Sequence, residues 1–236
     1  MLNIPGLTPI YAGAAADVMQ GRAVCDILSD GSRIRNDYYS EMSAMYKVWK
    51  EGPRSDIVGW CHYRRYFYFG TDALPPDGWL TDSRSSIVNN LQNFVPQNLS
   101  SLCTDRSFVV ADGHKLDKSI YAHYQACHHV DDYLDYFRIL LKTNPQLAPY
   151  LGEQFRRTMI HPCNMIICTW DIFDEICSLW FNTLEIFVNG RTLFYEDTYQ
   201  NRVPSFLSER VFDAWVQFKI AKGFQVHERP VILVND

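Results

Sequence analysis

The sequence predicts an α/β fold, a sheet with helices on its faces and more helix in the C-terminal half than in the N-terminal half. Two observations lead there. Short apolar runs with a β-branched bias recur along the chain, such as Asp56-Ile-Val-Gly-Trp-Cys61 and Ser107-Phe-Val-Val-Ala111. Between them lie segments whose apolar residues repeat at helical spacing. Alternation of this kind builds a helix-covered sheet.

The elements follow in order. Residues 1–36 carry Gly, Pro and Ala with weak periodicity and read as loop, with a short strand at Val24–Leu28. Asn36 or Asp37 then caps a helix whose apolar stripe is Tyr38, Met42, Met45, Tyr46 and Trp49. Glu41 lies in its first turns, where a carboxylate suits the helix dipole, and Glu51-Gly52-Pro53 ends it. The 56–61 run is a buried strand that leads into His62-Tyr-Arg-Arg65. Residues 70–107 are rich in Pro, Asp, Ser and Asn, and read as a lid or acceptor loop with a helix near 86–94. The 107–111 strand ends at Asp112-Gly113. Residues 118–158 are helical, with Tyr133, Leu134, Phe137, Leu140 and Leu141 on one face and a break at Asn144-Pro145. Cys163–Cys168 forms a strand, 171–188 a long helix, and 204–222 another helix opened by Pro204. Val231–Val234 closes the chain as a strand.

Composition narrows the function. A chain of 236 residues fits one domain, and 47% hydrophobic with 21% charged residues is the balance of a globular protein. A net charge of −5 argues against general affinity for nucleic acid or anionic membrane. The seven cysteines are odd in number, widely spaced and without a CxxC pair, which argues against a zinc ribbon and a secreted disulfide framework. They suit a reducing cytoplasm. The N-terminus lacks the basic start and apolar core of a signal peptide, and no apolar run approaches the ~18–20 residues that cross a bilayer. A cytoplasmic location follows, with at most peripheral association at the inner membrane face.

Three stretches carry a family resemblance. The first runs from Tyr38-Tyr-Ser-Glu-Met through Trp49 to Cys61-His-Tyr-Arg-Arg-Tyr-Phe67. The second is His161-Pro-Cys-Asn-Met-Ile-Ile with Phe173-Asp-Glu-Ile-Cys-Ser-Leu-Trp-Phe181. The third is Tyr199-Gln-Asn-Arg-Val-Pro-Ser-Phe-Leu-Ser-Glu-Arg-Val-Phe212. Together they resemble the domain of unknown function found in capsular and exopolysaccharide biosynthesis proteins, whose members look like GT-A glycosyltransferases. The resemblance implies a GT-A-like, Rossmann-like mixed sheet. It also implies transfer of a hexose, galactofuranose among the candidates, from a nucleotide-diphosphate sugar to a glycan or lipid-linked oligosaccharide. Its members usually begin with an extra strand, whereas seven residues precede Thr8 here. Residues 1–30 are therefore expected to be a shortened part of the nucleotide-binding half, with Ile10 and Val24–Leu28 covering the open sheet edge.

Within that frame, His62–Arg65 emerges at the carboxyl end of a strand, where α/β sheets bind ligands. If the extended conformation continues, His62 and Arg64 share one face and Tyr63 and Arg65 the other. No Asp-x-Asp stands there to hold a metal, so guanidinium groups are expected to take the diphosphate and no cofactor is expected. The plainer alternative pairs Arg64 and Arg65 with Glu41 or Glu209. Candidate bases for the acceptor hydroxyl are Asp112, Asp197 and Glu209. Glu209 and Arg210 sit in an apolar helix, either buried and paired or facing the site. Tyr11 and Asp30 are candidates for the nucleotide, with core packing and a plain turn as their alternatives. His161, Asn164, Glu41 and Arg210 are candidates for the sugar. His128 and His129 point ~100° apart on a helix and do not share one ion.

Overall fold

The computed structural model describes residues 4–71, 80–190 and 195–235. In chain order its elements are β1 (Ile10–Tyr11), α1 (Ala14–Met19), β2 (Val24–Cys25), α2 (Asn36–Tyr39), α3 (Met42–Glu51), β3 (Ile57–Trp60), β4 (Arg65–Phe67) and β5 (Leu80–Ser83). Then come α4 (Arg84–Asn89), α5 (Leu99–Leu102), β6 (Ser107–Ala111), β7 (His114–Lys115), α6 (Ile120–Cys127), α7 (Val130–Thr143), α8 (Ala148–Glu153) and β8 (Met159–Ile160). The last are β9 (Ile166–Thr169), α9 (Trp170–Asn189), α10 (Val203–Ala221), β10 (Gln225–Arg229) and β11 (Val231–Asn235). The fold is α/β with a mixed central sheet, as the alternating pattern requires.

That sheet has the order β10-β6-β9-β3. β10 is parallel to β6, and β9 runs antiparallel to both β6 and β3. Three strands therefore point their carboxyl ends to the same side, where β9 begins. Register places Trp60, Ile166, Val110 and Glu228 in one row across the sheet. One face of the sheet carries Val58, Trp60, Phe108, Val110 and Ile166 against α3, α7, α9 and α10. Val109, Ala111, Met165 and Ile167 on the other face pack with Phe67, Cys103 and Val231. A smaller sheet, β4-β11-β5, continues from the β3–β4 hairpin.

The two long C-terminal helices form the central layer. α9 buries Trp180, Phe173, Ile176 and Leu184, and Gly190 ends it. α10 is buried nearly all round, as a helix without a clear polar face must be. Its interior polar groups Ser208, Arg210 and Asp213 therefore each need partners inside the protein.

Several expectations need correction. The helix expected over 37–49 is two helices, because Ser40 adopts φ 49 between them. Asn36 does not cap: Arg35 holds that position, while the Asn36 amide donates to the Ser40 carbonyl at 2.6 Å and to Ser43 Oγ at 2.9 Å. The 24–28 strand has only two residues, paired in parallel with Ile10–Tyr11, so these two segments cover each other. The Cys163–Cys168 strand starts only at Ile166, since Cys163 and Asn164 are left-handed. Tyr136 takes the buried place expected for Leu141, which is exposed. Within the 70–107 loop, residues 80–102 contain β5, α4, a 3₁₀ turn and α5, while residues 72–79 lie outside the described residues. β10 was not legible at all.

Candidate functional site

The His62–Arg65 segment is not extended. His62 and Arg65 pair with each other, His62 N–H donating to the Arg65 carbonyl at 3.2 Å and Arg65 N–H to the His62 carbonyl at 3.3 Å. A two-residue turn at Tyr63-Arg64 results, and it overturns the expected division of faces. Arg65 folds back to His62, with its NH1 3.3 Å from His62 Nδ1. Tyr63 and Arg64 stand exposed at the tip, the Arg64 guanidinium 5.1 Å from the Tyr63 ring centre. His62 Nε2 lies 2.5 Å from the Cys163 carbonyl and 3.8 Å from Glu41 Oε1. The carbonyl contact requires the proton on Nε2, which leaves Nδ1 to accept from Arg65.

The hairpin thus rests on the loop His161–Asn164. Left-handed backbone is costly for Cys163 (φ 72) and tolerable for Asn164 (φ 51), so the surroundings must hold the loop. α10 does so from below. Cys163 N–H donates to Glu209 Oε1 at 3.1 Å, Asn164 Nδ2 to Ser208 Oγ at 2.8 Å, and His161 N–H to Asp213 Oδ1 at 3.1 Å. Glu209 Oε2 accepts from Arg210 at 2.9 Å. Burial pushes the Cys163 thiol well above its ordinary range, Glu209 and Glu41 add to that, and Arg65 opposes it. Glu41 and Arg65 at His62, and Glu209 at the Cys163 amide, thus flank the contact between hairpin and loop. Arg210 is buried, bound also to the Phe206 carbonyl, with NH2 3.4 Å from His123 Nδ1. Partial burial and the Arg210 charge both hold the His123 imidazole below its ordinary range.

Two and three strands further along, at the ends of β6 and β10, a second group gathers on the same side of the sheet. The buried Asp213 carboxylate also accepts from Gln154 at 3.1 Å and from Arg157. His161 Nδ1 is 3.4 Å from Asp213 Oδ1 and its Nε2 is 2.7 Å from Glu228 Oε1. Burial alone would lower the His161 pKa, but the two carboxylates outweigh it and raise it to about 9. The imidazole is therefore a cation at neutral pH. Asp112, at the end of β6, opens to solvent. Burial of its inner side and the charge of Glu228 raise its carboxyl above the ordinary value.

The remaining candidates lie in other surroundings. Asp30 is exposed and accepts from Ser32 N–H at 2.8 Å and Ser32 Oγ at 2.6 Å, in a turn of its own. Asp197 caps a short 3₁₀ turn by accepting from Tyr199 N–H. Tyr11 is half-buried in β1. Asp213 and Glu228 carry no sequence signal of their own, and His123 stands out there only beside His114, His128 and His129. Asp213 follows Glu209 by one helical turn, a spacing that could have pointed to it. Among the described residues no three His, Cys, Asp or Glu side chains are grouped as a metal site requires, and no helix is long and apolar enough to cross a membrane.

This architecture has a known counterpart. The apo structure of the WbbM bifunctional glycosyltransferase matches the fold with a TM-score of 0.84 at 20% identity, over 100% of this chain and 43% of that one. The chain thus spans less than half the length of that protein. No curated protein matches the sequence. The family model described as a domain of unknown function, DUF4422, matches residues 1–220, and the chain belongs to that family.

Proposed function

We propose that the protein is a glycosyltransferase that moves a hexose from a nucleotide-diphosphate sugar to a growing surface glycan or lipid-linked oligosaccharide. One observation carries the reading. The cationic hairpin at the end of β3, the 161–164 loop and the Glu209–Arg210 pair of α10 meet at the strand ends of a fold shared with a glycosyltransferase. Ligands of α/β sheets bind at that place. Arg64 and Arg65 supply positive charge to the diphosphate, which leaves as an anion. In a direct displacement the acceptor hydroxyl gives its proton to Asp112 and its oxygen bonds to the anomeric carbon. The bond from that carbon to the phosphate oxygen breaks, and its electron pair stays on the phosphate. A carboxyl raised above its usual range suits this role better than a salt-bridged one.

The alternative is a non-catalytic relative that grips a glycan or a partner transferase. In its favour, Arg210 and Arg65 already engage protein groups. Titration of the protein with uridine diphosphate and with UDP-hexoses separates the two, together with an assay for sugar release. Nucleotide binding with slow hydrolysis of one UDP-hexose supports the transferase. Glycan binding without nucleotide binding supports the relative.

A further inference from the structure

Glu228 stands at the carboxyl end of an edge strand and its side chain is 51% exposed, yet it is held like an interior residue. A surface carboxylate normally samples several rotamers, and fixing one gains little stability. Here a chain of alternating charges fixes it. Arg157 binds Asp213, Asp213 faces His161, and His161 Nε2 donates to Glu228 Oε1 at 2.7 Å. Burying Asp213 and His161 costs desolvation, and for folding alone the Arg157–Asp213 pair already neutralises the interior. The extension through His161 serves to orient one surface oxygen. Glu228 Oε1 is taken by His161, so Oε2 is left to accept from outside. Gly113 borders this niche: a β-carbon there would lie in ordinary contact, 3.8 Å, with Glu228 Oε1 and 3.0 Å from the movable end of the Met159 side chain. Asp112 shares this niche on the adjacent strand, its N–H donating to the Arg229 carbonyl at 2.9 Å.

Strand spacing sets the scale. The β6 end lies two strands from the β3 end, ~10 Å at ~4.8 Å per strand, and the β10 end lies one strand further. A sugar held by its phosphate at the hairpin reaches toward Asp112, and whatever attacks it must sit beyond, against Glu228. Resting on the glycosyltransferase reading above, we propose that Glu228 orients the acceptor sugar. It accepts a hydrogen bond from one hydroxyl so that the neighbouring hydroxyl of the same sugar is presented to Asp112. His161 and Asp213 are positioning residues for that carboxylate. The ligand class is a hexoside with vicinal hydroxyls.

Glu228→Gln tests this, because the amide keeps the shape, still accepts from His161 and lies at the surface. Two measurements are made on wild type and variant. The first is UDP affinity by calorimetry, with UDP-hexose hydrolysis followed on the wild type. The second is saturation-transfer NMR with methyl gluco-, galacto- and mannopyranosides in the presence of UDP. The variant should bind UDP with wild-type affinity and bind the preferred hexoside on the order of ten- to a hundredfold more weakly. Glu228→Asp, which withdraws the carboxylate by one methylene, should also bind it more weakly. Wild-type hexoside affinity in Glu228→Gln, or no hexoside binding by the wild type, overturns the inference while donor hydrolysis leaves the transferase reading standing. Equal loss of UDP affinity in the variant places Glu228 on the donor and overturns it too. Absence of UDP binding and of hydrolysis in the wild type removes the reading on which the inference rests.

Discussion

The two ends of the sheet edge carry similar residue types under opposite conditions. At the β3 end, Arg64 sits on a hairpin tip above the half-buried Arg65, with Glu41 and Glu209 in partial contact with solvent. At the β10 end, Asp213 and His161 are enclosed and only Glu228 reaches the surface. Both ends hang on the same loop and the same turn of α10. In the open end a charge can be removed and water takes its place. In the closed end each charge is the counterion of the next, so losing one strands another in a poor solvent. Stability should therefore respond strongly at the β10 end, and ligand binding at the β3 end.

The largest effect is expected from Asp213→Asn. The change leaves Arg157 and His161 facing a neutral amide, and breaking a buried pair costs about 3–5 kcal/mol. Urea denaturation at pH 7 should show a loss in that range. A loss below about 1 kcal/mol would remove the distinction between the two ends.

Next comes pH. The His161 imidazole titrates near 9 in the folded protein and near ~6.5 unfolded, so it binds its proton more tightly when folded. Its stabilisation is complete below pH ~6.5 and fades as pH rises through 9, about 3 kcal/mol in all. The denaturation midpoint should fall between pH 7 and 9.5, and His161→Gln should flatten that fall. His128 works the other way. Burial lowers its pKa to about 4, so stability that it contributes above pH ~6.5 is lost on acidification toward 4. Unaltered pH dependence in His161→Gln would mean that the imidazole is neutral in the folded state.

How far the sequence exposed each end follows from the same contrast. Apolar periodicity located β3, β6, α9 and α10, because their apolar residues face the core in regular order. It placed His62–Arg65 at a strand end, where the structure has it. It missed the hairpin, since a turn at Tyr63-Arg64 lacks Gly, Pro or Asn and is fixed instead by the distant Cys163 carbonyl and by Arg65 folding back on His62. β10 was invisible because Gln225-Val-His-Glu-Arg229 is a polar edge strand, held by backbone pairing with β6 rather than by buried side chains. The partners of His161 come from residues 213 and 228, 52 and 67 positions away. No local spacing encodes contacts of that range.

Arg65→Ala should fall between the extremes. Arg65 is half-buried and donates toward His62, beside Glu41 and Glu209. Its removal takes a cation from beside His62 and Glu41 while Glu209 keeps Arg210, at a cost on the order of 1–2 kcal/mol. Thermal unfolding should show the loss, and UDP affinity should fall with it. A stability equal to wild type would transfer Arg65 from a mixed role to a binding role alone.

Arg64→Ala is the smallest perturbation of the fold and the sharpest probe of the open end. Arg64 is exposed, and its only described side-chain contact is its approach to the Tyr63 ring. The link from the tip to β11 is made by its backbone, whose carbonyl accepts from Val234 N–H at 2.8 Å and survives the substitution. Stability should therefore stay within about 0.5 kcal/mol of wild type. If the guanidinium reaches the diphosphate, one charge-assisted hydrogen bond disappears, and UDP affinity should fall on the order of tenfold or more. Arg64→Lys keeps the charge without the planar fork, so it should recover part of that loss. The loss should also shrink as salt rises, because an exposed charge is screened within ~8 Å at physiological ionic strength. Calorimetric titration of UDP at low and high salt measures all three. Wild-type affinity in Arg64→Ala would show that the tip faces away from the nucleotide, leaving Arg65 and Arg210 to meet the diphosphate.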